Sequence, residues 1–369
     1  MRFLGLMTLL LAARLVFAAE PLRIAVAGLV HGHVEGFLLR PAKARADVQI
    51  VGIYEPNRDL QRKYGQKYGF PDSIFFTDLD LMLARQHPDA VATFTNTFDH
   101  AMVVEACAKH RITVMMEKPL AVSVEHATRI QQAAERAHIQ VIVNYETTWY
   151  PSSRAIGDLV ANRSLGAVRR MAAMDGHQGP KEIHVGPEFL EWLTNPKLNG
   201  AGALFDFGCY GADLMTWLMQ NERPVAVTAV TKRIKPDIYT AVDDDSTIIV
   251  EYPKAQGIIE GSWNWPFGRK DLEVYGETGY ATATGGDSLK VRLNLGKEQN
   301  QEMRPMPEDE HDALSYLVAV ARGRTVSSGL SSLQTNLIAT EILDAARRSA
   351  ETGRRVVLSA NRKPLSVVR

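Results

Sequence analysis

The sequence is poor in cysteine, has no excess of either charge, and lacks apolar runs long enough to cross a bilayer. Only Cys107 and Cys209 occur in 369 residues, which excludes a scaffold built on several disulfides, although one disulfide stays open without being favoured. Lys and Arg together number 42, as do Asp and Glu, so neither a basic field for nucleic acid nor an acidic tail is present. The remaining composition, 46% hydrophobic, is that of a soluble globular chain of about two domains. We therefore expect a small-molecule partner and no nucleic acid.

The first residues form a pattern of their own. Arg2 precedes the run FLGLMTLLLAA, and after Arg14 comes LVFAA, whose small residues fit signal-peptidase cleavage after Ala18 or Ala19. Residues 1–19 are therefore predicted to be a cleavable signal peptide of an exported, periplasmic or secreted protein, with no membrane span in the mature chain. A frayed apolar N-terminus is the alternative, since Arg14 interrupts the apolar region.

Strand-like and helix-like segments alternate from Pro21 onward. The apolar runs include LRIAVAGL, VQIVGIYE, AVATFTN, ITVMME and QVIVNY, with helical patterns between them; such alternation predicts right-handed crossovers and a parallel sheet covered on both faces. Longer strand-like runs follow WYPSS, with helices predicted near PEFLEWL, GADLMTWLM and LQTNLIATEILDAARRSAETG. The prediction is an α/β chain with an N-terminal Rossmann-like domain over 20–145 and a C-terminal α+β domain with a large, mostly antiparallel open sheet over 146–369.

A dinucleotide site is expected where the first strand turns into its helix, because free N–H groups at a helix start bind a pyrophosphate. The turn here is AGLVHGHVEG. Gly28 matches the first glycine of the fingerprint, whereas Val30 and His33 occupy the other two glycine positions. We predict that Gly28, Val30, His31 and His33 contact the cofactor; the alternative is that Gly28 only makes a tight turn.

Glu55 ends the second predicted strand, where an acid takes a ribose 2′-hydroxyl. A carboxylate there repels a 2′-phosphate, so NAD is favoured, while Arg58 leaves NADP open. The alternative is that Glu55 is a solvated strand end.

Four motifs occur together: TFTNTFDH at 93–100, EKP at 117–119, VNYETTWYP at 143–151 and GAGALFDFGCYGADLM at 200–215. Their order and spacing resemble the Gfo/Idh/MocA family, the group of glucose-fructose oxidoreductase and inositol dehydrogenase, over essentially the whole mature chain. The resemblance implies that Lys118 is catalytic, bonding the reacting oxygen with a pKa lowered by burial, and that the bond to Pro119 is cis. It implies that Glu117 anchors backbone or the cofactor ribose.

The segment DFGCYGAD supplies the remaining catalytic candidates. Family members most often have Asp-x-Gly-x-His-x-x-Asp; Asp206 matches, and Tyr210 replaces the histidine. Four residues apart, the two side chains would share one helix face. By resemblance, Asp206 orients substrate or lysine, and Tyr210 needs a cation such as Lys118 to lower its pKa enough to act as a base. The alternative is that Tyr210 is only a packed aromatic residue.

Further candidates follow from the same motifs. Thr95, Asn96, His100 and Asn144 are predicted to line the cofactor, with His100 equally able to serve only as the start of a helix. Trp149 is predicted to contact substrate, together with Asp206 and Tyr210. His177, outside these motifs, follows GAVRRMAAM on a loop that could reach substrate and is predicted to contact it, the alternative being a solvated loop residue. No metal site is expected, because the adjacent aspartates of DDD at 243–245 would point to alternate faces of an extended segment.

The expected reaction is hydride exchange between a carbinol carbon of a sugar or polyol and a tightly held nicotinamide cofactor. An exported enzyme would regenerate that cofactor within each cycle, either by coupled oxidation and reduction of two sugars or by transient oxidation that cleaves a glycosidic bond. A dinucleotide-binding sensor or structural protein without catalysis is the third alternative. An open sheet with one apolar face further predicts a homo-oligomer, either dimer or tetramer.

Overall fold

The structure is a computed structural model that describes residues 20–358; the predicted signal peptide lies outside the described residues. Two sheets organise the chain, a parallel sheet of six strands followed by a mostly antiparallel sheet of nine. Both predicted sheets and the α/β class are thereby confirmed. Among the described residues no helix combines the length and apolarity that a bilayer crossing requires.

The first sheet has the strand order β3-β2-β1-β4-β5-β6, with every pair parallel. This is the doubly wound order, which reverses direction between β1 and β4 and opens a crevice at the carboxyl ends of those strands. The strands are β1 (Leu22–Ala27), β2 (Val48–Tyr54), β3 (Phe75–Phe76), β4 (Ala90–Thr93), β5 (Thr113–Glu117) and β6 (Val141–Asn144).

Helices cover both faces of this sheet, and several of them begin at side-chain caps. The Asn57 side chain accepts hydrogen bonds from the first-turn N–H groups of α2, and Gly69 ends that helix with φ at 70°, as expected for polar N-caps and left-handed glycine C-caps. The first helical segment after β1 is π-helical and spans Val34–Leu39. The helices are α1 (Arg40–Lys43), α2 (Arg58–Tyr68), α3 (Leu79–Gln86), α4 (His100–Lys109) and α5 (Val124–Ala137).

The second sheet has the order β14-β13-β12-β11-β7-β10-β9-β8-β15, in which only β7 and β10 pair in parallel. Its strands are β7 (Val168–Gly176), β8 (Ala226–Lys232), β9 (Asp245–Glu251), β10 (Gln256–Ser262), β11 (Arg269–Gly276), β12 (Gly279–Thr284), β13 (Ser288–Leu293), β14 (Gln299–Asn300) and β15 (Val356–Val357). The helices of this half are α6 (Pro151–Ala161), α7 (Pro187–Leu193), α8 (Pro196–Asn199), α9 (Ala203–Asp206), α10 (Gly208–Leu218), α11 (Ala313–Ala321) and α12 (Leu333–Thr352).

Helix α10 packs closely on the inner face of the second sheet. A Cβ at Gly211 would lie 2.6 Å from Ile259 Cγ2 and 3.0 Å from Ala173 Cβ, so only glycine permits this approach. The close contact brings the start of α10 to the middle strands β7 and β10. It thereby fixes where the DFGCYGAD segment faces the first domain.

Helix α11 belongs to the second half of the chain but packs into the core of the first sheet. Leu314, Leu317 and Val318 are buried there with Ile24 and Val26 of β1. The chain therefore returns to its first half after completing the second sheet. Cys107 and Cys209 are both free and buried, so they form no disulfide.

Candidate active site

The turn after β1 requires glycine at its first position. Gly28 has φ at +88°, and a Cβ there would lie 2.7 Å from Thr95 Cγ2 and 2.8 Å from Thr95 N. Leu29 N donates to Glu55 Oε2 at 2.8 Å, and Asn57 N donates to Glu55 Oε1 at 2.8 Å. Burial raises the pKa of the Glu55 carboxyl, against the two backbone donors. Glu55 thus lies at the predicted ribose end of the turn and also holds the turn backbone in place.

Four side chains at the carboxyl ends of the strands form a continuous polar chain. His33 Nδ1 lies 3.2 Å from Glu117 Oε2, Asn144 Nδ2 donates to Glu117 Oε1 at 2.8 Å, and Trp149 Nε1 donates to Asn144 Oδ1 at 2.9 Å. Glu117 and Asn144 end the neighbouring strands β5 and β6 and pair in register. The structure therefore brings three predicted cofactor residues together, and Trp149 is bonded to one of them, Asn144; its contact with substrate stays a prediction.

Helix α7 closes one side of the dinucleotide turn with aromatic rings. The Phe189 ring lies 4.3 Å from the His31 ring, and Trp192 Nε1 donates to Val30 O at 3.4 Å. His31 is 1% exposed as a result, and burial together with the neighbouring His33 holds its pKa well below the usual range. His31 is therefore neutral. The sequence predicts this helix but gives no sign of its position over the turn.

Lys118 and Asp206 form a buried ion pair between the two halves of the chain. Lys118 Nζ donates to Asp206 Oδ1 at 2.5 Å and to Asp206 O at 2.9 Å, and Trp263 Nε1 donates to Asp206 Oδ2 at 2.9 Å. Both side chains are 7% exposed. The Lys118–Pro119 peptide bond is cis, as the resemblance implies. Asp206 therefore fixes the direction of the lysine, which reaches it from the end of β5.

The expected lowering of the Lys118 pKa by burial is wrong for this structure. Burial acts to lower the Lys118 pKa, but the facing Asp206 carboxylate outweighs it and raises the pKa above its usual value. Burial likewise acts to raise the pKa of Asp206, and the Lys118 charge with its hydrogen bond brings that pKa below its usual value. Both groups are therefore charged at neutral pH.

Tyr210 is buried between the ammonium groups of Lys118 and Lys270. These three side chains and Asp206 line the space that is called the cleft below. Lys118 Nζ and Lys270 Nζ each lie 5.2 Å from the centre of its ring, and the Tyr145 ring packs edge-on at 5.4 Å. Burial raises the Tyr210 pKa well above its usual value. The cations lie at its ring, so the lowered pKa expected for a phenolate base is not found. The Tyr210 hydroxyl keeps its proton.

The helix face that the sequence assigns to Asp206 and Tyr210 is interrupted. Asp206 ends α9, Phe207 has φ at −109°, and α10 begins at Gly208. The Asp206 carbonyl, which would extend the helix, instead accepts hydrogen bonds from Lys118 Nζ and Cys209 Sγ. Asp206 and Tyr210 face the same cleft through this break rather than through helical spacing.

The remaining cofactor candidates have internal partners. Thr95 packs against Gly28, and the Asn96 side chain accepts from Asp99 N at 3.1 Å, capping the following turn. His100 is the first residue of α4, and its Nδ1 lies 3.2 Å from Leu120 O. Burial lowers the His100 pKa to about 4, while its Nε2 has no hydrogen-bond partner among the described residues. His100 therefore starts a helix and still leaves one buried nitrogen beside the EKP segment.

His177 lies at the substrate side of the cleft. Its ring packs edge-on against Phe207 at 4.8 Å, and its Nδ1 accepts from Gly179 N at 2.9 Å. Burial lowers the His177 pKa, and the Asp206 charge opposes this. His177 thus packs on the residue that follows Asp206, and its contact with substrate stays a prediction.

Two charged residues of the cleft have no role in the sequence-based prediction. Lys270 Nζ lies 2.8 Å from Glu146 Oε2, and Tyr150 Oη donates to Glu146 Oε1 at 2.6 Å. Glu146 stands inside the VNYETTWYP motif, which is a signal for it, whereas Lys270 follows a loop without any motif. Trp263 lies in SWNWPFG, but nothing in the sequence indicates its bond to Asp206.

The three adjacent aspartates do not converge. Asp243 accepts from Gly202 N and Leu204 N, Asp244 accepts from Ile234 N and Lys235 N, and Asp245 accepts from Ser262 Oγ. The one metal-type donor group found among residues 20–358 is His31, His33 and Glu117, whose ligand atoms lie within 4.8 Å of one another. These three residues are the same ones predicted to line the cofactor.

Two family models match consecutive parts of the chain. Residues 22–145 match the oxidoreductase family with an NAD-binding Rossmann fold, and residues 153–282 match the GFO/IDH/MocA C-terminal domain. Together the two matches cover both sheets up to β12.

Curated relatives and solved structures agree with this match. A trans-1,2-dihydrobenzene-1,2-diol dehydrogenase of Xenopus laevis is 29% identical over 219 residues, covering 58% of this chain and 61% of that protein. The chain thus aligns with about three fifths of the first relatives it matches. An inositol dehydrogenase homolog from Azotobacter vinelandii complexed with NAD+ is 18% identical and covers 92% of this chain and 98% of that one, at a TM-score of 0.79. An aldose-aldose oxidoreductase from Caulobacter crescentus complexed with glycerol is 21% identical and covers 92% and 100%, at a TM-score of 0.76. This chain belongs to the Gfo/Idh/MocA family of NAD-binding oxidoreductases.

Proposed function

We propose that the protein is an NAD-dependent dehydrogenase that exchanges a hydride between a carbinol carbon of a sugar or polyol and the nicotinamide. The observation that carries this proposal is the buried Lys118–Asp206 pair, held beside Tyr210 at the carboxyl end of β5. A charged lysine kept out of water must be paired or used. Its place next to the dinucleotide turn points to use on a substrate oxygen.

The residues around the turn fit a dinucleotide. Only glycine can occupy position 28, where Thr95 closes the space a Cβ would need, and Glu55 stands at the end of β2 for a ribose hydroxyl. His33, Glu117 and Asn144 offer polar groups at the nicotinamide end of the crevice. These residues would hold NAD, which when bound supplies the hydride acceptor or donor.

Lys118 acts as the polar group at the reacting oxygen. With its pKa raised by Asp206, the ammonium donates a hydrogen bond to a carbonyl oxygen and stabilises the negative charge that develops there. Asp206 positions the ammonium, and Trp263 holds the second Asp206 oxygen. These contacts fix the site before substrate enters, which lowers the cost of orienting the reacting groups.

The protonation states favour reduction at neutral pH. Tyr210, with a pKa raised by burial, holds a proton, as does Lys118. Both are therefore ready to donate to a carbonyl oxygen. Oxidation of an alcohol needs one of them to lose its proton first, which requires alkaline pH or a nearby positive charge.

We propose further that the chain is exported and forms a homo-oligomer. Arg2 and the apolar run that follows it, with LVFAA before Glu20, support export. Val230 on β8 is 59% exposed and Tyr275 on β11 is 37% exposed, and such apolar side chains on a wide sheet support a contact between copies.

The test has two parts on the purified mature chain. First, mass and absorbance analysis of what denaturation releases should show NAD or NADH. Second, turnover of a sugar and polyol panel with added NAD and NADP should be lost in Lys118→Met and kept in Lys109→Met, a surface lysine paired with Asp80. Absence of dinucleotide binding would refute the proposal, and bound dinucleotide without turnover would favour the sensor.

A further inference from the structure

Among the described residues two buried carboxyl groups, Asp175 and Asp213, have no hydrogen-bond partner, and of these two Asp175 is the one with lysine charges near it. Asp175 on β7 is 1% exposed, and neither of its oxygens has a hydrogen-bond partner among the described residues. The other cleft carboxylates are satisfied: Asp206 by Lys118 and Trp263, and Glu146 by Lys270 and Tyr150. A buried polar group left without a hydrogen bond is destabilising, because it has lost its water and gained no partner. Such a cost suggests a partner that arrives with the substrate.

The sheet register directs Asp175 into the cleft. Asp175 pairs across the strands with Lys270 of β11 and with Gly261 of β10. It shares its strand face with Ala173, which contacts α10 at Gly211, because residues two apart point to the same side. Lys270 on the same face reaches the Tyr210 ring. Asp175 therefore lies on the same sheet face as Lys270, whose ammonium group reaches the Tyr210 ring.

The charges around Asp175 decide its protonation. Burial raises its pKa well above the usual range, Lys270 and Lys118 oppose this, and Asp271 and Glu146 add to it. Lys270 is already paired with Glu146, whose pKa stays low through that contact although burial acts against it. Two carboxyl groups that compete for one lysine separate in pKa. The titratable and charged groups close enough to act on Asp175 are Lys270, Lys118, Glu146, Tyr150, Cys209 and, from the opposite face of β11, Asp271.

We propose that Asp175 binds a second hydroxyl group of the substrate, away from the reacting carbinol, as a neutral carboxylic acid that donates one hydrogen bond and accepts another. This inference rests on the proposed function and assigns Asp175 to one particular hydroxyl group of the sugar or polyol. A neutral acid offers an O–H and a C=O side by side, which matches a hydroxyl that both donates and accepts. An alcohol with a single hydroxyl would leave the buried carboxyl unsatisfied.

The experiment is a thermodynamic cycle. It combines substitution of Asp175 in the protein with removal of one hydroxyl group at a time from the substrate. kcat/KM is measured on a polyol turned over by the wild type and on its set of mono-deoxy analogues. With the wild type we expect kcat/KM of one analogue to be about 10- to 100-fold lower than that of the parent polyol, because the buried carboxyl group is then left unpaired. With Asp175→Ala the parent polyol should lose a similar factor, and that analogue should lose little more. Asp175→Asn keeps a donor and an acceptor and should retain the wild-type ranking of the analogues.

The matched control is Asp271→Asn. Asp271 is a neighbouring buried carboxyl that pairs with Arg269 and accepts from Gly285 N, on the opposite face of β11 from Lys270. This variant should leave the analogue ranking unchanged. The inference would be overturned if each analogue lost the same factor in kcat/KM in the wild type as in Asp175→Ala. The proposed function would still stand. A wild type that turns over no compound of the panel would instead defeat the proposed function. If Asp175→Ala does not fold, the wild type and the isosteric Asp175→Asn variant still decide. Equal kcat/KM values for all analogues with the wild type would contradict the assignment of Asp175.

Discussion

Removing one member of the Lys118–Asp206 pair should destabilise the fold more than removing both. Each side chain is 7% exposed. If one of the two is removed, the charge of the other therefore stays buried, without a counterion and without hydration. Breaking a buried pair costs about 3–5 kcal/mol, whereas replacing both members with apolar residues is often neutral or stabilising. We therefore expect Lys118→Met to lower the free energy of unfolding by about 3–5 kcal/mol.

Asp206→Leu should cost more than Lys118→Met. It leaves Lys118 charged and buried, and it also removes the acceptor of Trp263 Nε1, which adds about 1 kcal/mol. The double variant should be more stable than either single variant. Lys109→Met is the control, since Lys109 and Asp80 are 62% and 58% exposed and such a pair contributes about 0.2–1 kcal/mol.

The assay is urea denaturation of all four variants and the wild type, followed by tryptophan fluorescence at low protein concentration. The pH dependence gives a second readout with a fixed sign. The folded Asp206 pKa is lowered from 3.8 and the folded Lys118 pKa is raised from 10.5, so the pair contributes fully between these two values. Its contribution should fall as the pH drops below 3.8 or rises above 10.5. A double variant whose loss equals the sum of the single losses would refute the coupling.

Three further predictions concern cofactor and catalysis. Gly28→Ala should weaken NAD binding measurably in calorimetry, since its Cβ would lie within 3 Å of Thr95; unchanged affinity would contradict the role of this turn. Glu55→Gln should shift the NADP to NAD affinity ratio about 10-fold towards NADP, through loss of about 1.4 kcal/mol of charge repulsion, and an unchanged ratio would remove Glu55 from the ribose site. The rate of alcohol oxidation should rise between neutral pH and pH 10 in stopped-flow absorbance, because Lys118, with a pKa raised from 10.5, is mostly protonated across this range and its small deprotonated fraction grows about tenfold per pH unit; a rate that is flat across this range would exclude Lys118 as the proton acceptor.

Much of the fold follows from periodicity, and the exceptions have a common cause. The strands of the first sheet are continuous apolar runs because both faces are covered, so their sequence signal is strong. Helix α11 is different: ALSYLVAVA is buried over Ala313–Val320, and a short run that is apolar on all sides does not reveal whether it is helix or strand. Strand β12 has the weak sequence GYATAT, which carries no clear alternation of large apolar residues.

Some residues of the candidate site can be predicted from the sequence, and others cannot. Lys118, Asp206 and Tyr210 stand in motifs, and the structure brings them together. Asp175 and Lys270 meet only through the register of β7 and β11, which local sequence does not determine. The Lys118 pKa depends on the balance between burial and a charge 88 residues away, and only the folded geometry sets that balance.

The most direct test of the account follows the hydride itself. The protein would be incubated with NAD+ and a polyol that carries deuterium at the reacting carbinol carbon, and the reduced cofactor would be weighed by mass spectrometry. The account predicts NADH one mass unit heavier than the unlabelled cofactor, formed by the wild type and not by Lys118→Met. Unlabelled NADH, or labelled NADH formed equally well without Lys118, would contradict it.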